Sequence, residues 1–176
     1  LTRLIHLPDF PIYFFTDEAI QTQHAVDLIA NGFRSPEGIF LPTYFENGGQ
    51  YNLSLSVYIQ VIPTLLFGKS IWVTRGTSVL ITLIGGIFLA LILRDHVRSR
   101  YWWLGTLLLS ITPTWFLHSR TAFETVLMAS LYAGFLYFYL KYRQSHPKNI
   151  YPALVFGALA FYAYSPGQII VVVTGF

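Results

Sequence analysis

The feature that most constrains this chain is a series of apolar runs, beginning near residue 74, that short polar links separate. We expect these runs to cross or enter a bilayer at 74–93, 101–117, 122–140, 150–164 and 168–176. At about 1.5 Å per residue, the first is long enough to cross a hydrocarbon core of about 30 Å. Only 11% of the residues are charged, against about 25% in average soluble domains. Lipid is therefore the expected solvent for much of this chain.

The placement of the basic residues predicts how the helices are oriented. The two strongly basic links are 94–100 and 141–148, and two spans lie between them, so both links belong on one side. The positive-inside rule makes that side cytoplasmic. The acidic loop before the first span and the link around Arg120 then share the extracytoplasmic side. Because the basic residues lie between apolar runs, the net charge of +3 does not indicate a nucleic-acid partner.

Residues 1–73 are predicted to form an extracytoplasmic loop with short amphipathic helices. One helix is expected to have Thr16 as its N-cap residue, with Asp17 and Glu18 at the positive end of its dipole, and to end at Asn31-Gly32. Between 51 and 60 apolar and polar residues alternate, as in a strand. No pairing partner is evident, so we expect a helix there. The predicted fold is all-α, a polytopic transmembrane helical bundle behind this loop.

The Asp17-Glu18 pair is the main candidate for catalysis. It follows an aromatic-rich run at 12–15 and lies outside the predicted spans. A carboxylate held near the membrane surface can accept the proton of an incoming hydroxyl group. The alternative is that both residues only cap a helix. The chain has no cysteine, which excludes disulfides and thiol catalysis, and we predict neither a metal site nor a cofactor.

Four further residues near the same membrane face are candidate substrate-binding groups: Arg75, His118, Arg120 and Glu124. Arginine beside a span usually has a partner or an anion to bind. The alternatives stay open. Arg75 can instead extend to lipid headgroups, and Arg120 can pair with Glu124 four residues later. His118 either binds phosphate or simply lies at the interface.

Several short motifs follow one another in a fixed order along the chain. They are Asp17-Glu18, Leu-Leu-Phe-Gly-Lys-Ser at 65–70, Val-Thr-Arg-Gly-Thr-Ser at 73–78, Thr112-Pro113, and Ser-Arg-Thr-Ala-Phe-Glu at 119–124. This series resembles the membrane glycosyltransferases of the GT-C superfamily. More narrowly, it is similar to the dolichyl-phosphate-mannose–protein mannosyltransferases and their bacterial relatives, including aminoarabinose transferases that act on lipid A. The resemblance covers nearly the whole chain, which we interpret as the N-terminal portion of a longer enzyme.

The resemblance implies a polyprenyl-phosphate-linked sugar donor and a protein, lipid or glycan acceptor. It implies an inverting transfer at the extracytoplasmic face of a prokaryotic plasma membrane, by a multi-pass protein. Asp17 would be the general base, Glu18 would orient it or the acceptor, and Arg75 or Arg120 would bind the lipid phosphate. The fragment alone is expected to be inactive. The chain departs from the family at 52–54, where proline-containing sequence is usual.

Two other classes of protein remain possible interpretations of the same sequence. A multi-span transporter would use Arg120 and Glu124 as an intramembrane pair, and inverted repeats further along the chain would favour it. A non-catalytic, lipid-handling relative would use Asp17 and Glu18 only as a helix cap. Donor binding without transfer would indicate that second class.

Overall fold

The computed structural model describes residues 3–175, and most of them are helical. In chain order the elements are α1 (Thr16–Ala30), β1 (Tyr44–Asn47), β2 (Gln50–Leu53), α2 (Leu55–Phe67), α3 (Ile71–Asp95), α4 (Trp102–Ile111), α5 (Pro113–His118), α6 (Glu124–Arg143), a 3-10 turn (Pro147–Asn149), α7 (Ile150–Ala163) and α8 (Ser165–Gly175). The helical class is confirmed, with one small hairpin that we did not expect.

Within residues 3–175, one helix, α3, is long and apolar enough by length and composition to cross a membrane. The helices α2, α4 and α8 are apolar but shorter. The predicted run 101–117 is divided at Thr112-Pro113, because proline has no N–H group to continue a helix. Tyr164 separates α7 from α8 with an extended backbone. The number of spans and their limits therefore stay predictions.

Small residues bring the three longest central helices close together. A Cβ atom on Gly85 of α3 would lie 2.8 Å from Ser130 Oγ and 2.9 Å from Ser130 Cα of α6. A Cβ atom on Gly134 of α6 would lie 2.6 Å from the Phe156 ring of α7. Glycine permits this close approach, as in many membrane helix pairs. Gly85 therefore lies at a close contact of α3 with α6, and Gly134 at a close contact of α6 with α7.

The two basic links lie at the same end of the helices, as predicted. Asp95, the last residue of α3, accepts a hydrogen bond from Tyr137 Oη at 2.9 Å and lies 3.5 Å from Lys141 Nζ of α6. The other end of α3 contacts the link before α6, where Ser78 Oγ donates to the Thr121 carbonyl at 2.6 Å. The identity of the cytoplasmic end stays a prediction from the positive-inside rule.

Helix α1 ends before Asn31 as expected, but the predicted N-cap is wrong by one residue: the N-cap residue is Phe15, and Thr16 is the first residue of the helix. The Phe15 N–H group donates to Glu18 Oε2 at 3.1 Å, so Glu18 satisfies a backbone donor that precedes the helix. The helix packs on α2 and the hairpin through an apolar cluster of Ala25, Leu28, Phe45, Val57 and Val61. This cluster fixes α1 relative to the rest of the first loop.

The hairpin β1–β2 contradicts the helix expected from residue 51. The strand β2 extends to Leu53, and α2 begins only at Leu55. The partner strand is β1, which two glycines join to β2. Gly48 and Gly49 have φ angles of 59° and 85°, which a two-residue type I′ turn requires and glycine adopts without strain. The Gly-Gly pair was the sequence signal for this turn.

Candidate active site

Glu18 and Arg75 form a bidentate ion pair, and both side chains are 0% exposed. Arg75 Nε donates to Glu18 Oε1 at 3.2 Å, and Nη2 donates to Oε2 at 3.1 Å. The backbone N–H groups of Phe15 and Ala122 donate to the same carboxylate at 3.1 and 2.9 Å. A carboxylate has about four lone-pair positions. In this structure those of Glu18 are all occupied by protein donors.

The rest of the Arg75 guanidinium holds the segment that precedes α1. Its Nη1 and Nη2 atoms donate at 2.8–3.3 Å to the backbone carbonyls of Leu7, Pro8, Pro11 and Tyr13. Arginine has five N–H donors, and those of Arg75 face protein acceptors. A lipid phosphate could bind Arg75 only by displacing these bonds.

Arg120 holds the same segment from the other side. Its guanidinium donates at 2.7–3.1 Å to the backbone carbonyls of Arg3, Ile5, His6 and Phe10. Burial lowers the pKa of Arg120, and the positive charge of Arg75 lowers it further. An arginine nevertheless stays charged in proteins. We call Glu18, Arg75 and Arg120 the arginine clamp, because together they fasten residues 3–15 to the helices.

Asp17, one residue before Glu18, faces an open polar cleft of about 360 Å³. Side chains from α1, the hairpin, the end of α5 and the beginnings of α6 and α8 line this acidic cleft: Asp17, Gln21, Asn47, Gln50, Asn52, His118, Phe123, Glu124, Thr125 and Tyr164. Asp17 is exposed, and its Oδ1 atom accepts a hydrogen bond from Asn47 Nδ2 at 3.3 Å. The Asp17 carboxylate is therefore oriented by a neighbour and still accessible to a substrate.

Glu124 and His118 line the same cleft as Asp17. Glu124 Oε1 accepts a hydrogen bond from Ser56 Oγ at 3.2 Å, and the His118 ring lies 5.5 Å from the Phe123 ring. The ion pair between Arg120 and Glu124 that we considered is not formed within the described part of the chain, since Arg120 turns toward the first loop. Of the described residues that line the cleft, only His118 can carry a positive charge.

The sequence model of the dolichyl-phosphate-mannose-protein mannosyltransferase family matches residues 55–176, which is more than half of the chain. The chain belongs to this family. It is therefore a membrane glycosyltransferase of the mannosyltransferase kind. No curated protein and no solved structure matches the chain significantly.

The predicted site residues of this mannosyltransferase-family chain form two groups, one inside the stretch that the family model matches and one before it. Arg75, His118, Arg120 and Glu124 lie inside residues 55–176, whereas Asp17 and Glu18 lie before them. The fold nevertheless brings both groups together, because Ala122 in the matched stretch donates to Glu18. The catalytic and binding roles that we assigned to these residues stay predictions.

Sequence reasoning missed the amide side chains of the hairpin and Gln21. Asn47, Gln50 and Asn52 enter the cleft only because the chain turns back at Gly48-Gly49. Paired residues in an antiparallel ladder lie on the same side of the sheet. If the hairpin had been predicted, the shared face of these three amide side chains would have followed. Tyr164 was not among the predicted site residues, and the structure places it at the cleft.

Proposed function

We propose that this chain transfers a sugar from a polyprenyl-phosphate donor to an acceptor hydroxyl, with Asp17 as the general base. The observation that carries the proposal is the difference between the two adjacent carboxylates. Glu18 is buried and fully bonded, whereas Asp17 is exposed in a polar cleft and held by Asn47. A general base must reach the proton that it abstracts, and Asp17 is the member of the pair that meets this condition.

The proposed reaction inverts the configuration at the anomeric carbon. The acceptor oxygen attacks that carbon while its proton passes to Asp17, and the bond between the anomeric carbon and the phosphate oxygen breaks. The polyprenyl phosphate leaves as an anion with the bonding electrons, so the leaving group needs no proton. Protonated Asp17 then returns its proton to water. The step balances with donor and acceptor alone.

The clamp has a positioning role in this proposal. Glu18, Arg75 and Arg120 hold residues 3–15 and the first turn of α1, and this turn carries Asp17. The leaving phosphate requires electrostatic stabilisation, and we assign this role to His118 because it lies in the cleft and can become positive. This differs from the phosphate role that the resemblance implied for Arg75 or Arg120, whose guanidiniums face the loop carbonyls.

The test uses the full-length protein in detergent with a panel of radiolabelled polyprenyl-phosphate sugars. Wild type should consume one donor, and Asp17→Asn should lower the rate by about 10²–10⁴-fold, the usual contribution of a general base. Asp27→Asn is the matched control, because Asp27 lies on the same helix and bonds Gln23 instead of facing the cleft. Full activity in Asp17→Asn would remove Asp17 as the base, and no donor consumption by folded wild type would overturn the transferase proposal.

A further inference from the structure

The hairpin presents three amide side chains on one of its two faces. Asn47 pairs with Gln50, and the next paired position on that face joins Phe45 and Asn52. Since side chains alternate between faces along a strand, Asn47, Gln50 and Asn52 share the face that lines the acidic cleft. Tyr51 belongs to the opposite face and is 69% exposed. A shift of register by one residue would replace the amides with Glu46 and Tyr51.

The same cleft is lined by buried polar groups that have no hydrogen-bond partner within residues 3–175. Gln21 is 2% exposed, and its Nε2 atom has no partner among these described residues. Thr125 Oγ1 is likewise buried and without a partner. Leaving a buried donor unsatisfied destabilises the fold, so native proteins rarely retain such groups without a use. A bound molecule with hydroxyl groups would supply the missing partners.

We propose that the amide face of the hairpin, together with Gln21, is the subsite that recognises the hydroxyl groups of the transferred sugar. The inference rests on the proposed transferase function and extends it to donor specificity. Each amide both donates and accepts hydrogen bonds, as a sugar hydroxyl does. The cleft volume of about 360 Å³ lies in the range of small-molecule sites, roughly 300–1,000 Å³.

The chemistry of the lining favours a neutral polyhydroxy ring over a phosphate at this position. Asn47, Gln50 and Asn52 are uncharged, and the exposed Asp17 carboxylate beside them would repel an anion. Phe123 and Tyr164 offer apolar ring surface against which the C–H face of a sugar can pack. The amide groups therefore have the properties of a specificity site, while Asp17 at its edge has those of the reacting group.

The experiment compares wild type with Gln50→Ala, Asn52→Ala and the matched control Tyr51→Ala, which lies on the opposite face of β2. For each full-length protein, kcat/KM is measured for the accepted donor and for analogues lacking one sugar hydroxyl. A site built to bond a hydroxyl rejects the analogue that lacks it. We expect the amide variants to raise KM for the donor about tenfold and to lose discrimination at one hydroxyl position, as one lost bond worth about 1.4 kcal/mol predicts. Tyr51→Ala should retain wild-type selectivity.

A second measurement separates the subsite from the reaction. Saturation-transfer NMR with a panel of free methyl glycosides reports binding to the detergent-solubilised protein whether or not transfer occurs. Binding that is lost in Gln50→Ala and kept in Tyr51→Ala supports the subsite, even where wild type transfers nothing and the transferase proposal fails. Unchanged donor selectivity in both amide variants, or glycoside binding that neither variant weakens, overturns the subsite and leaves the role of Asp17 intact.

Discussion

Asp17 and Glu18 are consecutive in the chain, yet they belong to regions with opposite properties. The arginine clamp is buried, and its carboxylate and guanidiniums form hydrogen bonds with protein groups. The acidic cleft is open, and Asp17 there bonds one amide. A helix rotates by about 100° per residue, so one carboxylate of the first turn faces the interior and its neighbour faces the cleft. Burial and free lone pairs, rather than charge alone, separate the catalytic candidate from the structural one.

The two regions should respond differently to substitution. A buried charge that loses its partner destabilises the fold strongly, whereas an exposed group contributes little to stability. Clamp variants should therefore lower stability, and cleft variants should lower activity in a protein that still folds. Single substitutions in each region, with stability and activity measured separately, test this division.

Replacing Glu18 by alanine should produce the largest loss of stability. The substitution leaves the Arg75 guanidinium buried and without its carboxylate, which costs about 3–5 kcal/mol of unfolding free energy. The measurement is the denaturation midpoint in detergent. The matched control is Asp17→Ala in the neighbouring residue. We expect it to lower the unfolding free energy by less than about 1 kcal/mol, because it removes only a favourable interaction with the helix dipole and one exposed hydrogen bond. Equal losses in the two variants would contradict the division between clamp and cleft.

Arg75→Lys tests whether the clamp depends on geometry or only on charge. Lysine keeps the positive charge but loses the planar fork that reaches Glu18 and the loop carbonyls. We expect a loss of roughly 2–4 kcal/mol, since each hydrogen bond to a charged group contributes about 1.5–3 kcal/mol. The control is Arg34→Lys, because Arg34 is exposed and its Nη1 donates to the Gly38 carbonyl. A folded Arg75→Lys protein with a raised KM for the donor would instead support phosphate binding by Arg75.

The helical regions could be predicted from the sequence because apolar length and helix-capping residues are local signals. Helix α1 was placed to within one residue at its start for this reason. The common end of the two basic links followed from the two spans predicted between them. The break at Thr112-Pro113 and the start of α8 at Ser165 could not be placed by hydropathy alone, because apolar runs do not report where a helix begins or ends. The hairpin was missed because its partner strand is polar and short.

The site was only partly predictable for a related physical reason. The sequence identified Asp17, Glu18, Arg75 and Arg120 as unusual charges near one membrane face. It did not indicate that the two arginines would use their donors on backbone carbonyls of residues 3–13, because carbonyl acceptors have no sequence signal. Which of two adjacent carboxylates stays open depends on those long-range bonds.

Gly85 of α3 lies outside both the arginine clamp and the acidic cleft. An overpacked variant at this position shows how much unfolding free energy is lost when no charge is removed. Gly85→Ala places a methyl group against the Ser130 backbone, and overpacking of this kind costs about 1–3 kcal/mol. The matched control is Gly76→Ala in the same helix, where an added Cβ meets nothing within 4 Å. Alanine there should be neutral or stabilising by up to about 1 kcal/mol. Similar denaturation midpoints for the two variants would contradict the close contact of α3 with α6.

The smallest effect is expected at Ser56, which connects the buried interior of α2 with the cleft. Its hydroxyl donates to Glu124 Oε1 at 3.2 Å, so Ser56→Ala should free the Glu124 side chain without removing a charge. We expect about 1 kcal/mol of lost stability and a three- to tenfold drop in kcat/KM, in line with a factor of ten per 1.4 kcal/mol. Ser130→Ala is the control, since Ser130 is equally buried but bonds the Val126 carbonyl of its own helix. If both variants keep wild-type kcat/KM, Glu124 does not need its present orientation. The cleft chemistry would then depend on Asp17, His118 and the amide face, without Glu124.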